Sequence, residues 1–473
     1  MQHLETLKNG GYKDLGLTKF KLAPIPSPLP SFPPEILELG NSLEQLDLSG
    51  TGLSSLPAEL GSALPNLKIA FFSSCNFTIF PKELASCPRL EMVAFRSNGM
   101  KEIPEDALPP RLRWLILTDN RIAALPCSIG RCARLEKCML AGNQLETLPV
   151  EMAQCNNLKL LRLSANRFKA LPDWLFSLPE LAFLSFAGNP CVAVASSNGT
   201  TTRLAEVNWA DIEVQHTLGQ GASGIISQAL WKQSPQYAEE VAVKLFHGAL
   251  TSDGRPEDEM AACLAAGAHE SLISVMGRIH GHPDEELHDG KFKGGLVMQL
   301  IPPYYTVLGQ PPSLVSCTRD CYPEGATVDA SCVVEMLAGI AGAAAQLHAR
   351  GISHGDLYAH NILASSEDRH ALLGDFGAAT IYGKSLPEEA ESGIEKLEVL
   401  AFAHLVEDLL RLISAEEQQD EAQVGELRRG LQQLYARCAD RQVASRPTFE
   451  EIVEELEDMM GWRGMMRIPD IPN

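Results

Sequence analysis

The segment HGDLYAHNILASSEDRHALLGDFG, residues 354–377, sets two acids, Asp356 and Asp375, on either side of an amide, Asn361. The apolar run Ala371-Leu372-Leu373 ahead of Asp375 reads as a short strand, so the second acid follows directly on a fixed element. On its own, His354-Gly355-Asp356 would be a plain surface turn. Two further motifs precede it in the chain, however: Gly219-x-Gly221-x-x-Gly224 and Val241-Ala242-Val243-Lys244.

The region from Ile212 to Val243 reads as strand, glycine turn, strand and strand: IEVQHTLG, the turn, IISQALW and EEVAVKLF. A turn built on Gly219, Gly221 and Gly224, with Gln220, Ala222 and Ser223 between them, lets the main chain approach phosphate oxygens and offer amides to them. The glycine triad alone is a weak signal. Lys244, at the end of the strand that follows, strengthens it, because an acid on the next helix can fix the ammonium toward phosphate. Glu259, in EDEMAACLAAGAHESLI, is the acid of choice, with Glu257 as the alternative.

The ordered set of motifs resembles the protein kinase family, as do CADRQVASRPTFEEI at 438–452 and the helix-like run Leu397–Ala403. The resemblance covers about residues 210 to 460. It implies that Ile226 lies over an adenine ring beside Ala242, that Met298 gates the back of the slot, and that Gln299, Leu300 and Ile301 present main-chain groups to the base. It further implies that Asp356 orients and deprotonates the attacking hydroxyl, while Asn361 and Asp375 hold Mg²⁺ against the phosphates of ATP. Glu398 stands for the usual Asp beneath the catalytic loop, and Arg446 is expected to pair with the acid that ends the activation segment.

Three departures bear on activity. Gly355 replaces the Arg that pairs with a phosphorylated activation loop in many kinases, and the segment after Gly377 is short, with Leu386-Pro387-Glu388 as a worn closing motif. Tyr358 stands where Ser/Thr kinases carry a Lys, and His360 is the nearest substitute cation. HGDLYAHNIL also resembles the catalytic loop of aminoglycoside- and choline-type kinases, which is the alternative enzyme class; a kinase-like scaffold without turnover is the third.

The first part of the chain is a repeat. LxxLxLxxNxLxxLP begins at Leu43, Leu67, Leu90, Leu112, Leu135 and Leu158, with a broken seventh unit at Leu181, and this period is that of leucine-rich repeats. Asn98, Asn120, Asn143, Asn166 and Asn189 fill the Asn position, with Thr51 and Cys75 in the first two units. Their amides are suited to bonding main-chain groups left open at each turn. Outward positions such as Glu44, Gln45, Asp47, Arg113, Trp114 and Ile116 form the expected concave partner surface, with Trp114 and Phe183 as exposed aromatic anchors.

The expected fold class is thus an α/β leucine-rich repeat solenoid followed by an α+β two-lobed protein kinase fold. Its divisions are a solenoid at 1–195, a linker at 196–206, a kinase-like domain at 207–462 and a tail at 463–473. Residues 1–205 carry 20 Lys and Arg against 18 Asp and Glu, and the remainder 19 against 42, so the net charge of −21 belongs to the second part. With no cluster of basic residues, nucleic acid is not an expected partner. The sequence shows no apolar run of membrane-spanning length and no CxxC pair among its twelve cysteines, which predicts a cytoplasmic protein with reduced thiols. Pro302 to Ala330 reads as an insertion without a legible role.

Overall fold

The computed structural model describes residues 2–12, 15–22, 24–25, 27–192, 204–285, 292–383, 386–413 and 421–461. Its contacts divide the chain into two units: Met1–Leu181 with Gly188–Cys191, and Ala182–Ala187 with Val192–Asn473.

Three-residue strands recur with the sequence period: β1 (Lys19–Lys21), β2 (Gln45–Asp47), β3 (Ile69–Phe71), β4 (Met92–Ala94), β5 (Trp114–Ile116), β6 (Lys137–Met139), β7 (Leu160–Arg162) and β8 (Phe183–Ser185). They form one eight-stranded parallel sheet in chain order. The central residues Leu46, Ala70, Val93, Leu115, Cys138 and Leu161 are fully buried, which is why the LxL core tolerates only apolar side chains there. Each unit closes on a proline. Pro81, Pro126, Pro149 and Pro172, with φ between −64° and −72°, each lead into a short 3₁₀ turn, a direction that the fixed proline φ favours.

The buried asparagines tie neighbouring units together. Asn143 donates from Nδ2 to the Leu117 and Leu140 carbonyls at 2.9 and 3.0 Å, and its Oδ1 accepts the Ile122 N–H at 3.0 Å. Asn120 and Asn166 repeat the pattern. In the first two units, among the described residues, the Thr51 and Cys75 side chains reach only the Leu48 carbonyl, at 2.6 and 3.3 Å, and touch each other at 3.6 Å. Outward charges pair across adjacent strands, as in Glu44 with Lys68 and Arg113 with Glu136. Trp114 is half-buried, with the Lys137 ammonium 4.5 Å from its ring.

In the second unit, β9 (Ala205–Asn208), β10 (Ile212–Gln220), β11 (Gly224–Ser234), β12 (Tyr237–His247), β13 (Val275–His280) and β14 (Phe292–Gln299) make a sheet ordered β10-β11-β12-β14-β13-β9. Val207, Ala229, Val241, Val243, Ile279 and Val297 form its core. β9 pairs parallel to β13 and was not foreseen; it includes Ala205 and Glu206, at the end of the span expected to be linker. The rest of that linker, through residue 203, and the 463–473 tail lie outside the described residues.

Two short helices, α1 (Gln2–Lys8) and α2 (Leu60–Ala63), belong to the first unit, and α3 (Pro256–Ala266) packs on β14 and β12 in the second. Pro256 opens α3, acids fill its first turn, and Gly267 ends it at φ +71°. The helical part of this unit comprises α4 (Ala330–Ala349), α5 (Glu388–Leu412), α6 (Glu421–Cys438) and α7 (Phe449–Met459). Asp329 caps α4 through the Cys332 N–H, and Thr448 with Glu451 forms a capping box on α7.

Two expectations are corrected. Helix α4 is long and apolar enough, by length and composition, to cross a membrane; Val333, Val334, Leu337, Ile340 and Leu347 are among its side chains buried within the second unit, where it packs against α7 among other elements. Phe183 is no exposed anchor: it is 1% exposed and lies in the second unit, stacked on Tyr358 with ring centroids 4.0 Å apart. Asn143→Ala would leave one buried N–H and two carbonyls without their side-chain partner. Each such loss costs about 1–3 kcal/mol, so denaturant unfolding is expected to show at least that destabilisation, and an unchanged midpoint would contradict a stabilising ladder.

Candidate active site

The glycine turn joins β10 to β11. The Gly221 N–H bonds the Gly224 carbonyl at 2.9 Å, and Ser223 is held through its carbonyl by the His247 N–H at 2.9 Å. The three glycines do different work. A Cβ on Gly224 would lie 2.1 Å from the Leu245 carbonyl oxygen, so glycine there permits close strand packing, whereas Gly219 and Gly221 face open space. Gln220 and Ala222 complete the turn.

Beneath it runs an open cleft of about 710 Å³, within the size range of small-ligand pockets. Gly219, Ile226, Ala242, Met298, Gln299, Leu300 and Ile301, all expected from the sequence, are among its lining residues. The Gln299 N–H donates to the Ser274 carbonyl at 2.9 Å, so donors toward a base must come from Leu300 or Ile301. Ile273 and Leu363 complete the apolar walls. Leu363 was legible in principle, as an apolar residue two positions after Asn361 at the start of a strand. Ile273 carried no such signal.

Behind Met298 is a smaller cavity of about 120 Å³, lined by Lys244, Glu259, Asp375 and Phe376, among others. Lys244, on β12, and Glu259, on α3, form a buried ion pair, 9% and 2% exposed. Burial opposes the ammonium, but the charges of Glu259 and Asp375 outweigh it and raise the Lys244 pKa above its ordinary value. Glu257 instead pairs with Lys293 at 2.9 Å.

The 354–377 segment carries β17 (Ile362–Ser365) and β18 (His370–Leu373), which join β15 (Thr306–Val307) in a three-stranded antiparallel sheet, and it is flanked by β16 (Ile352–Ser353) and β19 (Thr380–Ile381), which pair antiparallel with each other. Asn361 Nδ2 donates to the main-chain and side-chain oxygens of Asp356 at 2.9 and 3.1 Å, and the Asn361 carbonyl accepts the Gly374 N–H at 3.0 Å. This brings the first acid beside the turn that carries the second. Asp375 is exposed and holds φ +54°, a left-handed conformation in which a non-glycine residue is strained, while its Oδ1 accepts the Gly377 N–H at 3.1 Å.

Because its Nδ2 is taken by Asp356, Asn361 has its side-chain Oδ1 to offer as a ligand, and Asp375 adds carboxylate oxygens; such a hard, all-oxygen set fits Mg²⁺. Among the described residues no group of three or more His, Cys, Asp or Glu is gathered for a metal.

Glu398, on α5, is the buried anchor of the loop. Its Oε1 accepts the Gly355 N–H at 2.6 Å, and its Oε2 meets the His354 N–H at 3.1 Å and His348 Nε2 at 2.7 Å. Burial pushes its pKa up, but these donors prevail and hold it below the ordinary carboxylate value. His354 Nε2 meets the Gly374 carbonyl at 2.9 Å. Gly355 has φ +72°, and a Cβ there would lie 2.6 Å from the Ala378 carbonyl oxygen, so the backbone itself excludes the Arg found in many kinases. Tyr358 is buried between Phe183 and His360. His360 bonds Asp320 at 2.7 Å; burial works against its charged form, yet that bond and the neighbouring acids raise its pKa. Arg446 donates to the carbonyls of Asp440 and Lys396. No sequence motif marked Asp320 or His348.

Gly224→Ala is expected to destabilise the second unit by about 1–3 kcal/mol through overpacking. Gly221→Ala should leave the unfolding midpoint unchanged and weaken nucleotide binding; equal effects of the two on stability would refute the division of roles. Glu398 makes a pH prediction. Its folded pKa lies below the ordinary 4.5, so its contribution is complete above that pH and lost as pH falls through the folded value. The urea-midpoint gap between wild type and Glu398→Gln should therefore narrow as pH drops below 4.5, and a pH-independent gap would show that the charge is irrelevant.

Comparison with known proteins accords with this geometry. A search of curated proteins finds no match to the chain. The family model described as protein tyrosine and serine/threonine kinase matches residues 212–401, from the first strand of the glycine hairpin into α5. Residues 212–401 are therefore a protein kinase domain.

Proposed function

We propose that this chain is a cytoplasmic Mg·ATP-dependent protein kinase acting on Ser or Thr, with its N-terminal repeats folded as a leucine-rich repeat solenoid that recruits a protein partner or substrate. The observation that carries the enzymatic reading is the pairing of Asp356 with Asn361 and the convergence of Lys244 and Glu259 with Asp375 around a small cavity that shares Ile226, Ile273 and Met298 with the larger, nucleotide-sized cleft. Asp356 orients the hydroxyl and takes its proton, while Lys244, fixed by Glu259, holds the phosphates. Bound Mg²⁺ supplies positive charge for the charge that develops on transfer, with Asn361 and Asp375 as its protein ligands.

The recruiting role rests on the parallel eight-stranded sheet, the asparagine ladder and the Trp114-bearing outward face. A cytoplasmic site is supported by the twelve cysteines, all of them free thiols and most buried. Purified protein with radiolabelled ATP should phosphorylate itself or histone on Ser or Thr. Asp375→Ala should lower the rate by about 10²-fold or more without lowering the unfolding midpoint. Phosphotyrosine alone would refute the residue specificity, and phosphate appearing only on a small amine or sugar would replace the reading with that of a small-molecule kinase.

A further inference from the structure

The catalytic loop is held from one side by Glu398. The other side presents a problem of local structure. Ala359–Asn361 is a 3₁₀ turn whose N-cap, Tyr358, makes no side-chain capping bond. Such a turn leaves main-chain N–H groups in need of a partner from elsewhere.

That partner comes from the insertion. Asp320, with a side chain only 4% exposed, accepts the Ala359 N–H through Oδ2 at 2.6 Å and meets His360 Nδ1 through Oδ1 at 2.7 Å. Each carboxylate oxygen thus serves one group of the turn. The main chain of the insertion reinforces this grip: the Leu308 N–H donates to the Ile362 carbonyl at 2.9 Å and the Gly309 N–H to the Ala359 carbonyl at 3.3 Å.

Asp320 is itself immobilised. Gln310 and Cys321 exchange two main-chain hydrogen bonds at 2.8 and 2.9 Å around it. The preceding residue, Arg319, bonds Glu407 at 2.6 Å, the His404 carbonyl at 3.2 Å and the Asp408 carboxylate. All three lie on α5, the helix that also carries Glu398. The loop bearing Asp356 and Asn361 is therefore gripped by two carboxylates referenced to one rigid helix, one directly and one through the Arg319 anchor.

Resting on the kinase reading above, we infer that Asp320 is a positioning residue for phosphoryl transfer, an external cap on the Ala359–Asn361 turn that fixes the spacing between Asp356 and Asn361. The insertion is on this view part of the catalytic apparatus. Pro302, Pro303 and Tyr305 at the start of the insertion line the nucleotide cleft, whereas Asp320 does not, so Asp320 acts on the rate of transfer.

The test uses the full-length protein, with histone as acceptor, and the variants Asp320→Ala and the nearly isosteric Asp320→Asn. Asp320→Ala should lower kcat about tenfold or more, since small displacements of reacting groups carry penalties of this order, while KM for ATP stays within about twofold. Asp320→Asn keeps one acceptor for the Ala359 N–H and should fall in between. Hydrogen exchange of peptides covering 356–361 should accelerate in Asp320→Ala while β10–β14 exchange as in wild type. The inference is overturned by an unchanged kcat, by unchanged exchange in the loop, or by kcat, KM for ATP and unfolding midpoint deteriorating together in both variants. Failure of wild type to phosphorylate any polypeptide would instead be seen without a variant, and would remove the kinase reading on which the inference rests.

Discussion

A buried ammonium facing a buried carboxylate, Lys244 against Glu259, is the constraint to which the second unit is built. Such a pair adds little net stability, because desolvating two charges costs about what their attraction returns; removing one partner leaves the other stranded and is costly. Its value lies in geometry. It locks α3 to β12 and so fixes the strand that supports the glycine turn relative to the helix behind the cleft. Asp375 raises the Lys244 pKa as well, so the ion pair and the second acid of the 354–377 segment share one electrostatic environment.

The loop that carries Asp356 and Asn361 obeys a second constraint, that its many main-chain donors must be satisfied in the interior. Glu398 takes those of His354 and Gly355, and Asp320 takes that of Ala359. Gly355 follows from the same requirement, since only a residue without a side chain fits at φ +72° against the Ala378 carbonyl. What looks from the sequence like a lost regulatory arginine is, in the folded chain, a position with no room for one.

The first unit solves the same problem by repetition. Strands of three residues bury too little surface to stand alone, and stacking lets each asparagine join main-chain groups of two units. Where Thr51 and Cys75 replace asparagine, the ladder thins to a single carbonyl and the buried Leu46 and Leu48 bear more of the load.

The sequence by itself determined the repeat period, the glycine turn, the strand ending in Lys244 and the paired acids around Asn361, because each depends on neighbours a few residues away. Glu259 was singled out too, by its interval to His269, which resembles the one common in protein kinases, with Glu257 as the alternative. Phe183 and Asp320 were decided only by tertiary structure. Strand alternation turns Phe183 outward, yet outward means buried once Tyr358 lies over it. Asp320 sits in an irregular segment 39 residues from the amide it caps, and no local pattern encodes a hydrogen bond that exists only after α5 has anchored Arg319. Local spacing can be read from a chain, whereas the partner of a buried polar group is set by what the fold brings to it.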